Sequence, residues 1–178
     1  MNLPDRPPEE QFTVPFVKAI LIFRDRFLLQ RRAKKGDPYE GFWELPGGRM
    51  RRDETASAAL AREVSEETGL RLLSVLGQPA ESLTDRFGRG VQVLAPLITV
   101  EVCAGPWPGS LGHYFACLAE GEPTDSEEGD RHRLIRPGEF QTEFLEPGAT
   151  GQCSTLDLLA MRTLLQSKQL ERFLQAAS

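Results

Sequence analysis

The sequence predicts a single α/β domain, and three observations carry that expectation. Apolar, β-rich runs and two helical patterns share one chain of 178 residues. The apolar fraction of 40% and the charged fraction of 26% are those of a globular protein with an ordinary core. No run of about 18 apolar residues is present to span a bilayer, and no internal repeat divides the chain.

Taken in order, residues 1–11 read as a loose arm, acidic and Pro-rich and unlike a signal peptide. Phe12 to Phe23 is β-rich, with Ala19 to Phe23 as its buried run. Asp25 lies in a tight turn, from which Phe27 to Gln30 pairs back as a hairpin strand. Ala33 to Gly41 is a loop, and a helix follows over about residues 54–68. Leu70 to Leu83 reads as a strand broken near Gly77 and Pro79. Asp85 to Gly90 reads as a hairpin tip. Val91 to Val102 is the next strand, in which Pro96 marks an edge or a bulge. Gly105 to Gly109 is a rigid loop, and His113 to Ala119 is a further strand. The acidic run Asp125, Glu127, Glu128 and Asp130 lies in a loop before a short strand, Arg133 to Ile135. Pro137 to Phe140 starts a helical turn. A last helix is expected at 153–176, with Ser154 and Asp157 as its capping pair. Leu158, Leu159, Met161, Leu164 and Leu165 give that helix an apolar stripe for core packing. Residues 77–112 form a long excursion suited to a lid or a dimer arm.

The stretch from Gly48 to Leu70 carries the most chemistry. Ala56, Ala58, Ala59, Leu60, Ala61 and Arg62 are strong helix formers. Asp53 or Thr55 can cap the start, and Gly69 sits where a left-handed residue ends a helix. Glu66 and Glu67 fall in the last turn, beside the negative end of the helix dipole. Glu63 faces both, and each such like-charge pair costs about 0.2–0.5 kcal/mol on an isolated helix. At about 100° per residue, the three acids share one half of the helix with Ala56, Ala59 and Leu60. A solvated helix separates its acids from its apolar stripe. Several local rules fail together here, which marks a functional site. Carboxylate oxygens suit hard cations such as Mg²⁺ and Mn²⁺, and a cation beside basic loops points to phosphate chemistry. Cys103, Cys117, Cys153, His113 and His132 show no zinc spacing.

The same stretch resembles the Nudix box. Gly48, Glu54, Arg62, Glu63, Val64, Glu66, Glu67, Gly69 and Leu70 fill every defined position of that pattern at the correct spacing. The preceding Gly41 to Gly47 is similar to the family's usual lead-in. The resemblance implies an α/β/α sandwich around a mixed β-sheet, with the box as a loop–helix–loop. It implies a hydrolase acting on a diphosphate linkage, by water attack on phosphorus, in a nucleoside diphosphate-X or nucleoside triphosphate. Glu63, Glu66 and Glu67 would hold Mg²⁺ or Mn²⁺, joined by the carbonyl of Gly47 or Gly48. Glu54 would assist the metal site, and Arg62 would orient the glutamates through an ion pair. The catalytic base is expected to be Glu63, Glu66 or a loop acid outside the box. With substrate bound, more than one metal is expected, because four nearby carboxylates exceed what one Mg²⁺ takes from protein. Substrate candidates span nucleoside triphosphates, ADP-ribose and other nucleotide sugars, and dinucleoside polyphosphates. The alternative is a catalytically silent domain of the same shape that senses a nucleotide.

Charge placement adds to this. The chain carries a formal net charge of −5, yet nine of its 21 Lys and Arg residues lie between Arg24 and Arg52. Arg31, Arg32, Arg49 and Arg51 are the candidates to meet an anionic substrate. Glu127 and Glu128 are candidates for an added metal ligand or base. Phe87, on the hairpin tip, is the candidate base platform. An acidic pI disfavours binding to a nucleic acid polymer. An odd number of scattered cysteines suits a reducing cytoplasm. The expected partner is a small diphosphate compound, with no membrane and with a homodimer as an option.

Overall fold

The computed structural model describes residues 13–78, 82–103 and 109–176. The expected N-terminal arm and most of the Gly105–Gly109 loop lie outside the described residues. Among the described residues, nine strands and four helices follow in the order β1 (Val14–Phe23), β2 (Arg26–Arg32), β3 (Trp43–Glu44), α1 (Ala56–Thr68), β4 (Arg71–Val75), β5 (Ser82–Thr84), β6 (Gly90–Gln92), β7 (Ile98–Val102), β8 (Ser110–Glu120), β9 (Gly129–Ile135), α2 (Pro137–Phe140), α3 (Thr155–Gln166) and α4 (Gln169–Ala176). A single π turn, Gln141–Leu145, continues α2.

Seven strands make one sheet with a spine of order β3-β2-β1-β8-β4. β9 pairs with β2 from Phe27 to Arg32, and β7 with the first half of β8. β1 and β8 run parallel while the other pairs are antiparallel, so the sheet is mixed.

Strand periodicity explains the layers. Side chains alternate between the two faces of a strand. Along β1, Val17, Ala19 and Leu21 join Ala56, Ala59, Leu60 and Val64 of α1 in one core. The intervening Phe16, Ile20 and Ile22 join Ala160, Met161 and Leu164 of α3 and Leu170 and Leu174 of α4 in the other. Both faces of β1 are covered, which is why its sequence reads as a continuous apolar run. Among the described residues no helix is long and apolar enough to cross a membrane.

Several expected boundaries move. The first long strand after α1 stops at Val75, and Ser82–Thr84 belongs to a separate two-stranded ribbon with β6. The strand expected over Val91–Val102 is split, because residues 93–97 around Pro96 leave the ladder before β7 begins. The short strand at Arg133 begins earlier, at Gly129, and takes Asp130 out of the acidic loop. The C-terminal helix is two helices, broken where Lys168 takes φ 57°, a left-handed turn that helices do not propagate.

α3 is bolted to the sheet through its first turn. Ser154 caps it by accepting from the Asp157 amide at 3.2 Å. The fully buried Asp157 accepts from Tyr114 Oη at 2.9 Å, from Ser154 Oγ at 2.8 Å and from the Leu45 amide at 3.0 Å. Leu45 begins the loop that leads into α1, so this carboxylate ties the C-terminal layer to the box. Asp157→Ala leaves a buried hydroxyl and amide without partners beside the buried Lys18. The expected loss is at least about 3 kcal/mol of folding stability. Urea unfolding of the variant within about 1 kcal/mol of the native chain would contradict this role.

Candidate active site

The loop of residues 46–48 lies against β1. Pro46 O accepts from the Ala19 amide at 2.8 Å, and Gly48 O accepts from the Val17 amide at 2.9 Å. Gly47 has φ 138°, and a β-carbon there would strike the Val17 carbonyl oxygen, so only glycine serves. At Gly48 a β-carbon would lie 2.6 Å from Glu63 Oε1, so a side chain there would push the Glu63 carboxylate aside. These glycines let the loop pass close under α1.

Thr55, rather than Asp53, caps α1, accepting from the Ala58 amide at 3.2 Å. Gly69, at φ 69°, ends it as expected. Arg62 then gathers the acids. Its Nε donates to Glu54 Oε2 at 3.1 Å, and its Nη2 to Glu54 Oε1 at 2.6 Å and to the Arg49 carbonyl at 3.1 Å. Its Nη1 donates to Glu63 Oε1 at 2.6 Å and to Glu66 Oε2 at 3.1 Å. Hydrogen bonds from Arg62, added to the Arg51 amide, pull Glu54 from 4.5 down to about 2. Both Glu54 oxygens are thereby occupied.

Glu67 is buried on the sheet side of α1, at 3% exposure. Its Oε2 accepts from Gln30 Nε2 at 2.8 Å and from the Gly47 amide at 2.7 Å. Burial raises its pKa to about 7; Lys18 and these two donors oppose the rise. Lys18 itself stays above its ordinary range despite burial, because Glu44, Asp157 and Glu67 surround it. Its Nζ donates to Leu45 O at 2.7 Å and to Glu44 Oε2 at 3.1 Å.

A cavity of about 340 Å³ opens here. Glu63, Glu66 and Glu67 line one wall, and Ser126, Glu127 and Glu128 the other. The structure therefore brings the three box acids and both loop acids together. Among the described residues, Glu63 Oε2 and Glu67 Oε1 accept no hydrogen bond. No three carboxylates among the described residues form a finished metal cage. Mg²⁺ needs none, since it binds through one or two carboxylates and keeps waters or substrate oxygens. An all-oxygen donor set with two uncommitted oxygens on one cavity suits such an ion.

The expected phosphate contacts separate into two groups. Arg31 is held by a two-pronged pair with Asp130, at 2.8 and 2.6 Å. Arg32 is held by Asp37 at 2.8 Å and by Glu44 at 3.2 Å. Neither is among the residues that line the cavity. Arg49 and Arg51 are exposed, and Arg51 reaches Glu66 at 3.4 Å. Phe87 is 67% exposed on the β5–β6 tip, under Arg86 and Arg89, and is not among the residues lining the cavity. Asp157 was expected only as the capping partner of Ser154; Lys18, Gln30 and Glu44 were not among the expected site residues. Their signal was a polar residue inside an otherwise apolar strand, as in Val17-Lys18-Ala19 and Leu28-Leu29-Gln30.

The family model for the NUDIX domain matches residues 15–152, and the chain belongs to the Nudix family. A MutT protein from Methanosarcina mazei Go1 has the same fold, with a TM-score of 0.64 at 18% identity over 90% of this chain and 97% of that one. The α/β/α sandwich expected of the family is the fold observed. An ADP-ribose pyrophosphatase from Methanocaldococcus jannaschii is 36% identical over 91 residues, 50% of this chain and 51% of that protein. An RNA pyrophosphohydrolase from Caulobacter vibrioides is 30% identical over 125 residues, 66% of this chain and 65% of that protein. The chain thus spans less than two thirds of either relative's length.

The Glu54–Arg62 pair sets an acid limit. A carboxyl held below its ordinary value adds stability above pH 4.5, and that contribution fades as pH falls toward 2. Native chain and Glu54→Gln are therefore expected to differ in urea midpoint by a constant amount above pH 4.5 and to converge below it. A difference that persists undiminished near pH 2 would disprove the ion pair's contribution.

Proposed function

We propose that the chain hydrolyses a diphosphate linkage in a nucleoside diphosphate-X or nucleoside triphosphate substrate, with Mg²⁺ or Mn²⁺. The observation that carries this reading is the cavity whose opposite walls are the box acids and the acidic loop. The names of the two relatives, both hydrolases of a phosphoanhydride, point the same way. Glu63, Glu66 and Glu67 are the proposed metal ligands, and Glu54 acts by fixing Arg62. The carbonyl of Gly47 or Gly48 is the proposed further ligand; Gly48 O accepts one hydrogen bond, from the Val17 amide, and keeps a second lone pair. A bound divalent ion supplies charge neutralisation on the phosphoryl oxygens and acidifies a bound water.

The protein's own residues divide the remaining work. Arg62 orients Glu63 and Glu66. Arg49 and Arg51, exposed at the mouth of the box loop, meet the substrate's negative charge. Glu63 and Glu66 are engaged by Arg62 and Glu128 pairs with the exposed Lys34 at 3.6 Å, so the loop acids, Glu127 first, are the better placed to take a proton from water. The reaction is proposed for the cytoplasm, where Cys103, Cys117 and Cys153, free in this structure, stay reduced.

The test is a screen of nucleoside triphosphates, ADP-ribose and dinucleoside polyphosphates with Mg²⁺, scored by phosphate or pyrophosphate release. Glu67→Gln is expected to lower turnover by at least about a hundredfold, the scale of one strong electrostatic contact in the transition state. A Glu67→Gln protein with native turnover contradicts the assignment. Replacing both Glu127 and Glu128 by Gln is expected to lower kcat about a hundredfold with little change in KM. Native kcat in that double variant moves the base back to Glu63 or Glu66.

A further inference from the structure

We propose that Gln30 is a positioning residue that fixes the Glu67 carboxylate and so sets the affinity of the cavity for a divalent cation. The proposal rests on the metal-dependent reading above and deepens it. Gln30 follows Leu28 on the α1 face of β2 and is fully buried. Its Nε2 donates to Glu67 Oε2 at 2.8 Å, the oxygen that also takes the Gly47 amide at 2.7 Å. Two donors on one oxygen stop the carboxylate from rotating. Oε1 is then the oxygen left for a cation.

The other end of the amide tells against a packing role. Gln30 Oε1 is buried without a partner. A methionine or leucine fills such a position on a strand without that desolvation cost. The amide earns its place through the bond to Glu67. It also touches the opposite wall of the cavity. A β-carbon on Gly129 would lie 2.8 Å from Gln30 Oε1, so Gly129 leaves room for the amide. Gly129 follows Glu128 directly and pairs with Arg32, and its amide donates to Ser126 Oγ at 3.0 Å. Gln30 thus sits between the glutamate that faces the cavity from α1 and the turn that carries Ser126, Glu127 and Glu128.

Two variants of the full chain test this, with Mn²⁺ as the probe. Gln30→Met keeps the side-chain volume and removes both the donor and the unpartnered acceptor. Gly129→Ala keeps every donor but pushes the amide aside; the glycine is not in the left-handed region, so its backbone accepts alanine. Mn²⁺ affinity is read by electron paramagnetic resonance and stability by thermal melting. Gln30→Met is expected to fold with a cooperative melt and to bind Mn²⁺ about tenfold more weakly, the range for losing a partner of a metal ligand. Gly129→Ala is expected to weaken Mn²⁺ binding in the native background and to add little to Gln30→Met, since both act through one amide. Native Mn²⁺ affinity in both single variants overturns the proposal, whatever happens to the melting temperature. A native chain without affinity for Mn²⁺ overturns the metal-dependent reading and this proposal with it.

Discussion

A single guanidinium holds the acidic half of α1 in place. Arg62 has five N–H donors in a rigid plane, and each meets an acceptor: two oxygens of Glu54, one each of Glu63 and Glu66, and the Arg49 carbonyl. A lysine offers three donors on a flexible stem and cannot span this set. The bond to Arg49 matters as much as the ion pairs, because it anchors the loop before α1 to the helix itself. Loop and helix are thereby tied to each other. The like charges on α1 are tolerable only inside that frame.

The sheet supplies the second half of the electrostatic balance. Glu67 is taken out of water and raised to about 7 by that burial. Two hydrogen bonds and the field of Lys18 reduce the penalty without cancelling it. Lys18 alternates with Val17 and Ala19 along β1 and is itself fixed by Glu44 and the Leu45 carbonyl. Glu44 in turn holds Arg32, which holds Asp37. A chain of alternating charges thus runs from the core to the loop after β2. Arg31 and Arg32, expected as substrate contacts, are both drawn into ion pairs of this kind. Each already has a carboxylate in a geometry that a phosphate would have to displace.

How much of this was legible follows from the range of each interaction. The α1 helix, its Gly69 stop and its Arg62-to-acid pairing were readable because all of them lie within one short stretch. So were the hairpin at Asp25 and the cap at Ser154. The partners of Glu67 were not, because Gln30 and Gly47 come from other elements 37 and 20 residues away. The same holds for Asp157, which meets Leu45 across 112 residues. The split of Val91–Val102 was half visible in Pro96. The break between α3 and α4 was hidden, since Ser167-Lys168 carries no glycine or proline to announce a left-handed turn. Glu127 and Glu128 were readable as acids in a loop, and only the register of β9 on β2 could bring them over the box.

The path between β4 and β7 has a consequence of its own. Leu76 donates its amide to Ala116 O and Leu97 donates to Tyr114 O, both at 2.8 Å, so the excursion leaves and rejoins β8 two residues apart. β4 and β7 then occupy successive halves of one β8 edge. Such a segment is closed at its root, and its length is nearly independent of the sheet. Closing a longer loop costs only about 0.6 kcal/mol per doubling. The fold therefore has a natural graft point, where this appendage can be lengthened at little cost in closure entropy.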